Sequence, residues 1–409
     1  MNIVLRLAWR NLWRHPRRTW LTIGAMLFSN ILLVFMISLQ FGMYGLMIDN
    51  TLKVFTGHMQ IQAPGYKDDQ KIRQVVRDVQ PLASALRNEF GTDTIAARGW
   101  AFALASSADR SYGVGIFGVE PRFEPEVSNI PGLIREGRYL EDNDATEIVI
   151  GAVLARNLRV TIGDELTLLG SGRDGSFAAA VVNIVGIFES GVVDIDRNFA
   201  QLPLGLFQDV FYMEGAGHQV VIGAANLGEA EMLRPEIVAS LPPGSDLVVH
   251  SWDELQPGLK QAIQADMSSA FFMYGILVIL VAFSVLNTQL MSVLERTHEF
   301  GIVMSLGLRP GRLGRLVMLE TAMMGLIGLV LGATAGAIFT SWFTVNGFSI
   351  PGMEEMAAAF NLPARMYPNV TFLTMITGPT VVFLFTLMAA VYPALRLHRL
   401  HPVEAMRTN

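Results

Sequence analysis

Four long stretches of this chain, residues 19–48, 267–294, 321–353 and 366–395, contain no Asp, Glu, Lys or Arg. A helix needs about 20 apolar residues to cross a hydrocarbon core of about 30 Å, and each stretch exceeds that. Four transmembrane α-helices are expected. The composition agrees, with 51% hydrophobic and only 16% charged residues over 409 positions. The first stretch is too long for the roughly 7–15 apolar residues of a cleaved signal peptide and is closed by no small-residue cleavage site, so it is read as a retained anchor. At about 1.5 Å per residue the first two stretches would reach roughly 40–45 Å, leaving a surplus to tilt or to form a stalk beyond the lipid.

Lys and Arg near membrane ends favour the cytoplasmic side. Arg6, Arg10, Arg14, Arg17 and Arg18 precede the first stretch without an acid, Arg296, Arg309, Arg312 and Arg315 follow the second, and Arg396, Arg399 and Arg407 follow the fourth. An even number of spans puts all three groups on one side, so both termini and the middle loop are expected in the cytoplasm. The fold class is then a membrane protein with four transmembrane helices and a large α+β extracytoplasmic domain inserted between helices 1 and 2. Residues 1–18 form a cytoplasmic amphipathic helix, 19–48 the first span and stalk, 49–266 the outer domain, 267–294 stalk and second span, and 295–315 a cytoplasmic loop. Residues 316–345 are the third span, 346–370 an outer loop, 371–395 the fourth span and 396–409 a cytoplasmic tail. The outer domain carries 30 acids against 17 bases, which excludes a nucleic-acid binder. The absence of cysteine is compatible with any compartment.

In the N-terminal segment Leu5, Trp9, Leu12 and Trp13 share one helical stripe while Arg6, Arg10 and Arg14 share another, the pattern of a helix lying at a membrane interface. Pro16 breaks it. In the outer domain, "GHMQIQA", "YGVGIFGV", "EIVIG", "DELTLL", "AAAVVNIVGIF", "HQVVIGA" and "DLVVH" read as strands. Helices are expected over 70–88, 152–158 and 227–241, and two subdomains suit a segment of this length. In the third span Gly325, Gly328, Gly332 and Gly336 recur every three or four residues, a stripe that lets another helix approach closely within the chain or across a dimer.

No G-x-x-x-x-G-K-[ST] loop is present, so the chain is not expected to bind ATP by a P-loop of its own. "THEF" lacks the second His of a zinc-protease helix, because Ile302 stands there, and no metal site is expected. His58, His218 and His250 show no catalytic constellation. "GSGRDGS" leads from one strand into another and reads as a turn. Glu320, at the cytoplasmic end of the third span, is the single acid inside the bounds of a span, which argues against a proton-coupled carrier.

Six segments together resemble permease subunits of the MacB/FtsX superfamily of ABC transporters, and within it the LolC/LolE-like lipoprotein-release group. They are "LAWRNLWRHPRRTWLTIGAM", "GHMQIQAPGY", "VLARNLRVTIGDELTLL", "VVNIVGIFESGVVDIDRNFAQLPL", "LNTQLMSVLERTHEFGIVMSLGLRPGRLGRLVMLETAMMGLIGLVLGATAG" and "VYPALRLHRLHPVEAMR". The resemblance implies a non-catalytic permease in a bacterial inner membrane, its large domain periplasmic. The resemblance also implies pairing with a second permease, as a homo- or heterodimer, and binding of two separate P-loop ATPase subunits that hold ATP and Mg. It further implies a coupling helix in the middle loop. Glu295, Arg296, Glu299 and Gly301 match the family's E-R-x-x-E-x-G signature; Leu306 and Gly307 match its A-L-G element, with Ser305 in place of the alanine. Ile302, Val303 and Leu306 would offer the ATPase groove an apolar face.

The expected function is transmission of cytoplasmic ATP hydrolysis to the periplasmic domain, for extraction or export of a lipoprotein or other amphiphile. A substrate cleft is expected along the stalks, at Phe35, Leu39, Met43, Met47, Phe271 and Phe272. Membrane lipids and a periplasmic protein are further expected partners. The segment after "DELTLLG" is shorter than the projecting loop of the carrier-recruiting lipoprotein exporter, and no fused ATPase domain like that of MacB is expected. The alternative is an FtsX-like transmitter that activates a periplasmic cell-wall hydrolase, although such transmitters have a much smaller outer domain.

Overall fold

The computed structural model describes residues 3–349, 352 and 365–397. Among these, four helices are long and apolar enough to cross a membrane. They are Pro16–Thr51, which continues as a π-helical turn Leu52–Thr56, then Pro257–Glu295, Pro310–Asn346 and Phe372–Arg396. We number them spans one to four. Local chemistry sets their starts: Pro310 occupies the first turn of span three, where its missing N–H costs nothing, and Thr371 caps span four through the Thr374 amide at 3.2 Å. Residues 353–364 of the outer loop and the tail arginines Arg399 and Arg407 lie outside the described residues.

Contacts divide the chain into a helical unit, with residues 1–44 and 262–349 and the fourth span, and an outer unit, Gly45–Gln261. In the helical unit the glycine stripe of span three is buried and faces spans one and four of the same chain. A Cβ on Gly325 would lie 2.8 Å from the Phe383 ring; on Gly328, 3.0 Å from Met26; on Gly332, 2.5 Å from Asn30 Cβ; on Gly336, 3.0 Å from Val34. Asn30 Nδ2 uses the close approach to donate to the Gly328 carbonyl at 3.0 Å. Lipid tails are as apolar as leucine, so van der Waals fit and such polar contacts hold the helices together.

The outer unit is built on ten strands: β1 Met59–Gln62, β2 Ile95–Ser106, β3 Ser111–Val119, β4 Ile134–Gly137, β5 Glu147–Gly151, β6 Glu165–Ser171, β7 Phe177–Phe188, β8 Phe199–Pro203, β9 Gln219–Ile222 and β10 Val248–Ser251. They form one sheet in the order β10-β1-β9-β2-β3-β8-β5-β7-β4, with β6 pairing β2 and β7. The sheet is therefore continuous where the sequence suggests two subdomains. One face carries the main core, in which Ile61, Val220, Ala97 and Ile116 pack with Leu86, Leu154, Phe207 and Ile237 of the covering helices. Gly99 and Gly118 stand opposite each other on β2 and β3 and leave the hole that the Phe207 ring fills.

Alternation sends polar and aromatic residues to the other face, where Arg98 and Glu124 form an ion pair at 2.7 Å with no exposed side-chain surface. The Phe55 carbonyl also accepts from Arg98, and Gln201 donates to Glu124 at 3.3 Å. The burial pushes the Glu124 carboxyl upward against the opposing pull of Arg98. His218 is fully buried. Its Nδ1 accepts the Trp100 amide at 2.9 Å, its Nε2 lies 3.2 Å from the Ile72 carbonyl, and its ring stacks on Tyr66. That arrangement needs the neutral imidazole with its proton on Nε2, and burial lowers the pKa to about 4.

Two predictions follow from these packing arguments. Gly332→Leu forces Asn30 away from span three and should lower the melting temperature of the detergent-solubilised protein, by an amount set by an overpacking cost of about 1–3 kcal/mol; an unchanged melting curve contradicts the close packing. The His218 pKa is depressed on folding, so the unfolded chain binds the extra proton first. Stability contributed by the neutral ring is present above pH 6.5 and lost as pH falls from 6.5 to about 4, by on the order of 3 kcal/mol. Denaturation of the wild type and His218→Gln across that range should show a steeper loss of stability with falling pH in the wild type than in the variant.

Candidate functional site

Span two ends at Glu295, and the chain turns at Arg296 into a short helix, Thr297–Ser305. Gly307 stops this helix with φ +95°, a conformation that side chains disfavour, and Pro310 starts span three. The turn rests on one buried charge. Arg296 Nη1 donates to both carboxylate oxygens of Glu320 at 3.2 and 3.1 Å, and its guanidinium lies 4.9 Å from the Phe300 ring centre. Asn11 Nδ2 of the N-terminal helix Ile3–Leu12 donates to the same carboxylate at 2.8 Å. Two outer pairs add to this: Arg14 with Glu299 at 3.1 Å, and Arg18 with Glu295 at 3.3 Å and Ser292 at 2.6 Å.

The sequence-derived residues therefore divide in two. Arg296 and Gly301 are buried, and Glu295 and Glu299, although half-exposed, are already paired with the N-terminal segment. Ile302, Val303, Ser305, Leu306 and Gly307 are exposed, Leu306 most of all at 83%. Phe300 and Met304 on the opposite side pack against Val293, Leu313, Val317 and Leu397. The short helix is thus anchored through one face and presents apolar side chains on the other. The N-terminal helix contributes more than its composition suggested: Ala8 and Leu12 are buried, and Leu12 packs with Ile23 and Met324.

The stalk residues also separate. Phe35 lies inside the helical unit, its ring 5.2–5.6 Å from those of Phe339, Phe343 and Phe348, and Leu39 is buried too. Met43, Met47, Phe271 and Phe272 are exposed. The reason is rotation: residues four apart on a helix advance by about 40° around its axis, so a row that starts facing inward at Phe35 has turned outward by Met43. Between spans one and two lies a polar cluster that sequence reasoning missed. Tyr44 Oη donates to Asp266 at 2.5 Å, Gln40 Nε2 donates to Tyr44 at 2.7 Å and to Asp266 at 3.2 Å, and Tyr274 Oη donates to Gln40 at 2.9 Å. Its one signal was Asp266 bordering a charge-free run.

A family model described as the MacB-like periplasmic core domain matches residues 19–247, and the FtsX-like permease C-terminal model matches residues 271–402. The chain belongs to the MacB/FtsX family of ABC transporter permeases. The permease is 24% identical over 308 residues to the lipoprotein-releasing system transmembrane protein LolC of Xylella fastidiosa, covering 71% of this chain and 72% of that protein. Over 429 residues it is 21% identical to the macrolide export ATP-binding/permease protein MacB of Sodalis glossinidius, covering 99% of this chain and 60% of that one. The crystal structure of the periplasmic region of MacB from Actinobacillus actinomycetemcomitans aligns with a TM-score of 0.37 at 14% identity, over 51% of this chain and 94% of that one. As a member of this family, the permease is an inner-membrane protein whose outer unit is a periplasmic domain. Members of this family work with ATPase subunits.

The buried Arg296–Glu320 pair makes a stability prediction separate from any coupling role. Arg296→Met leaves Glu320 without its cation and should cost about 3–5 kcal/mol, read as a large drop in melting temperature. Arg296→Met combined with Glu320→Leu should recover most of it, and a single variant as stable as the wild type contradicts the geometry.

Proposed function

We propose that this permease transmits ATP hydrolysis, carried out by separate P-loop ATPase subunits, to its periplasmic domain in order to extract or export a lipidated or otherwise amphiphilic cargo. The observation that carries the reading is the short helix Thr297–Ser305, held by Arg296 and Glu320 with Ile302, Val303 and Leu306 left uncovered. An apolar helix face of this kind suits a groove on a partner, and the flanking arginines favour the cytoplasm for that end of the helical unit and for both termini. In this role Arg296, Glu295, Glu299 and Gly301 position the helix, while Ile302, Val303 and Leu306 make the contact, with Ser305 and Gly307 at its end. ATP and Mg are held by the ATPase.

Spans one and two are helices of 36 and 39 residues, well beyond the roughly 20 that a bilayer requires, which suits elements that carry movement past the lipid. Their exposed Met43, Met47, Phe271 and Phe272 are our candidates for contact with an acyl chain. Two copies of the permease, identical or paired with a related chain, would enclose such a cleft. The relation to LolC, whose name is that of a lipoprotein-releasing protein, supports the choice of cargo.

Leu306→Asp places a charge in the centre of the proposed ATPase contact. Membranes expressing it should contain normal amounts of permease with an unchanged melting temperature, while co-purified ATPase falls about tenfold. Recovery of no P-loop ATPase with the wild type, or undiminished recovery with Leu306→Asp, overturns the coupling assignment. Cargo is tested by identifying lipids and proteins retained by a Met43→Trp variant against the wild type; retention of the same amphiphile at the same level overturns the cleft.

A further inference from the structure

The polar face of the outer sheet contains a cavity of about 280 Å³. One wall is aromatic. Phe55 stacks on Phe117 with ring centres 4.7 Å apart, and Trp100 and Phe199 complete a continuous platform, with Trp100 4.8 Å and Phe199 5.7 Å from Phe117. Gly115 makes room for this platform, because a Cβ there would run into the Trp100 ring. The other wall is made of amides. Gln60 and Gln62 project from β1, Gln219 lies opposite Gln62 on β9, and Gln256 closes the rim. Gln62 Nε2 donates to Gln60 Oε1 at 2.6 Å, Gln60 Nε2 donates to the Thr56 carbonyl at 2.6 Å, and Gln256 Nε2 donates to Thr56 Oγ1 at 3.0 Å.

That chain of donors leaves Gln62 Oε1 over. The side chain is 3% exposed, and its carbonyl oxygen accepts no hydrogen bond. A buried acceptor without a donor is costly, and it belongs to a residue that lines the cavity. The single full charge on the lining is Lys67 at the mouth. The strands that supply the amides, β1 and β9, are each paired on both sides, so no free edge is available to an extended peptide. An alkyl chain would cover the platform but seal the amides away from any partner. A flat-sided ring whose C–H face packs on aromatic rings and whose hydroxyls donate to and accept from amides satisfies both walls.

We propose that the periplasmic domain binds a neutral, hydroxyl-rich ring, a single sugar unit, in this cavity, with its C–H face on Trp100 and Phe117 and its hydroxyls toward the amide wall of Gln60, Gln62 and Gln219. The size agrees with one ring rather than an extended chain. The site is separate from the coupling helix and from the stalk residues assigned above.

Saturation-transfer NMR on the full-length permease in nanodiscs free of glycosidic detergent tests this, with glucose, N-acetylglucosamine and decanoate as separate probes. The expected result is saturable binding of at least one sugar with Kd between about 0.1 and 10 mM. Trp100→Ala and Gln62→Leu should each weaken it at least about tenfold, and Lys67→Ala should leave it intact. Gln70→Leu, at an exposed position on the rim where folding is not at risk, should weaken it about threefold and keeps the test decisive if the buried variants fail to fold. No saturable binding of either sugar, binding indifferent to all of the wall variants, loss of binding in Lys67→Ala, or binding of decanoate alone at a site removed by Trp100→Ala would each overturn the proposal.

Discussion

The Arg296–Glu320 pair is the contact on which the coupling end of the permease depends. It joins the turn after span two to span three, and through Asn11 it reaches the N-terminal helix as well. A charge pair out of water holds only when its remaining lone pairs are occupied and its geometry is good; here one carboxylate receives two donors from separate elements. Removing the pair would free the short helix from its anchored face. The exposed row of Ile302, Val303 and Leu306 is a consequence of that anchoring, since Phe300 and Met304 on the same helix are drawn inward.

Within the spans the same economy operates through size. The glycine stripe allows spans one and three to approach until Asn30 can reach a backbone carbonyl, which places a polar side chain where lipid could not satisfy it. Toward the outer end of span one, Tyr44 and Gln40 meet Tyr274 and Asp266 of span two, and the four satisfy one another. Spans one and two are therefore joined by hydrogen bonds near their outer boundary and by the Arg18 contacts to Glu295 and Ser292 at the other. Both junctions must be kept or exchanged together if the two helices move relative to each other.

The sequence made the spans legible because hydropathy and charge are local properties, and the expected number of helices is the number observed among the described residues. The glycine stripe was also legible as a packing surface, but the choice between an intrachain and a dimer contact needed the partners Met26, Asn30 and Val34. Strand β2 escaped the reading: "IAARGWAFALAS" is rich in Ala and carries Arg and Gly, so it lacks the β-branched alternation that marks a strand, although it is central to the sheet. The helix expected over 70–88 begins only at Val79. Arg296 was legible as part of a signature but not as half of a buried ion pair, because its counter-ion lies 24 positions away, beyond any local pattern. Phe35 was placed on a cleft because an i+4 row looks like a single face over a short distance and is not one over twelve residues.

The outer sheet shows why function-bearing residues there resist reading from sequence. Its strands alternate, so each supplies the hydrophobic core with every second residue and leaves the others to a second face. On that face a buried ion pair, Arg98 with Glu124, sits beside the aromatic platform and the glutamine wall, and His218 backs the platform through the Trp100 amide. None of these residues stands out alone, and they come from β1, β2, β3, β8 and β9, from the π-helical turn that holds Phe55 and from the segment that holds Glu124, scattered over more than 150 positions. Had the second face served only to cover the core, apolar side chains would have done so without the desolvation cost that Arg98, Glu124 and Gln62 carry. Polar groups kept at that cost, with one acceptor left unpaired beside a cavity, are better explained by a ligand than by folding.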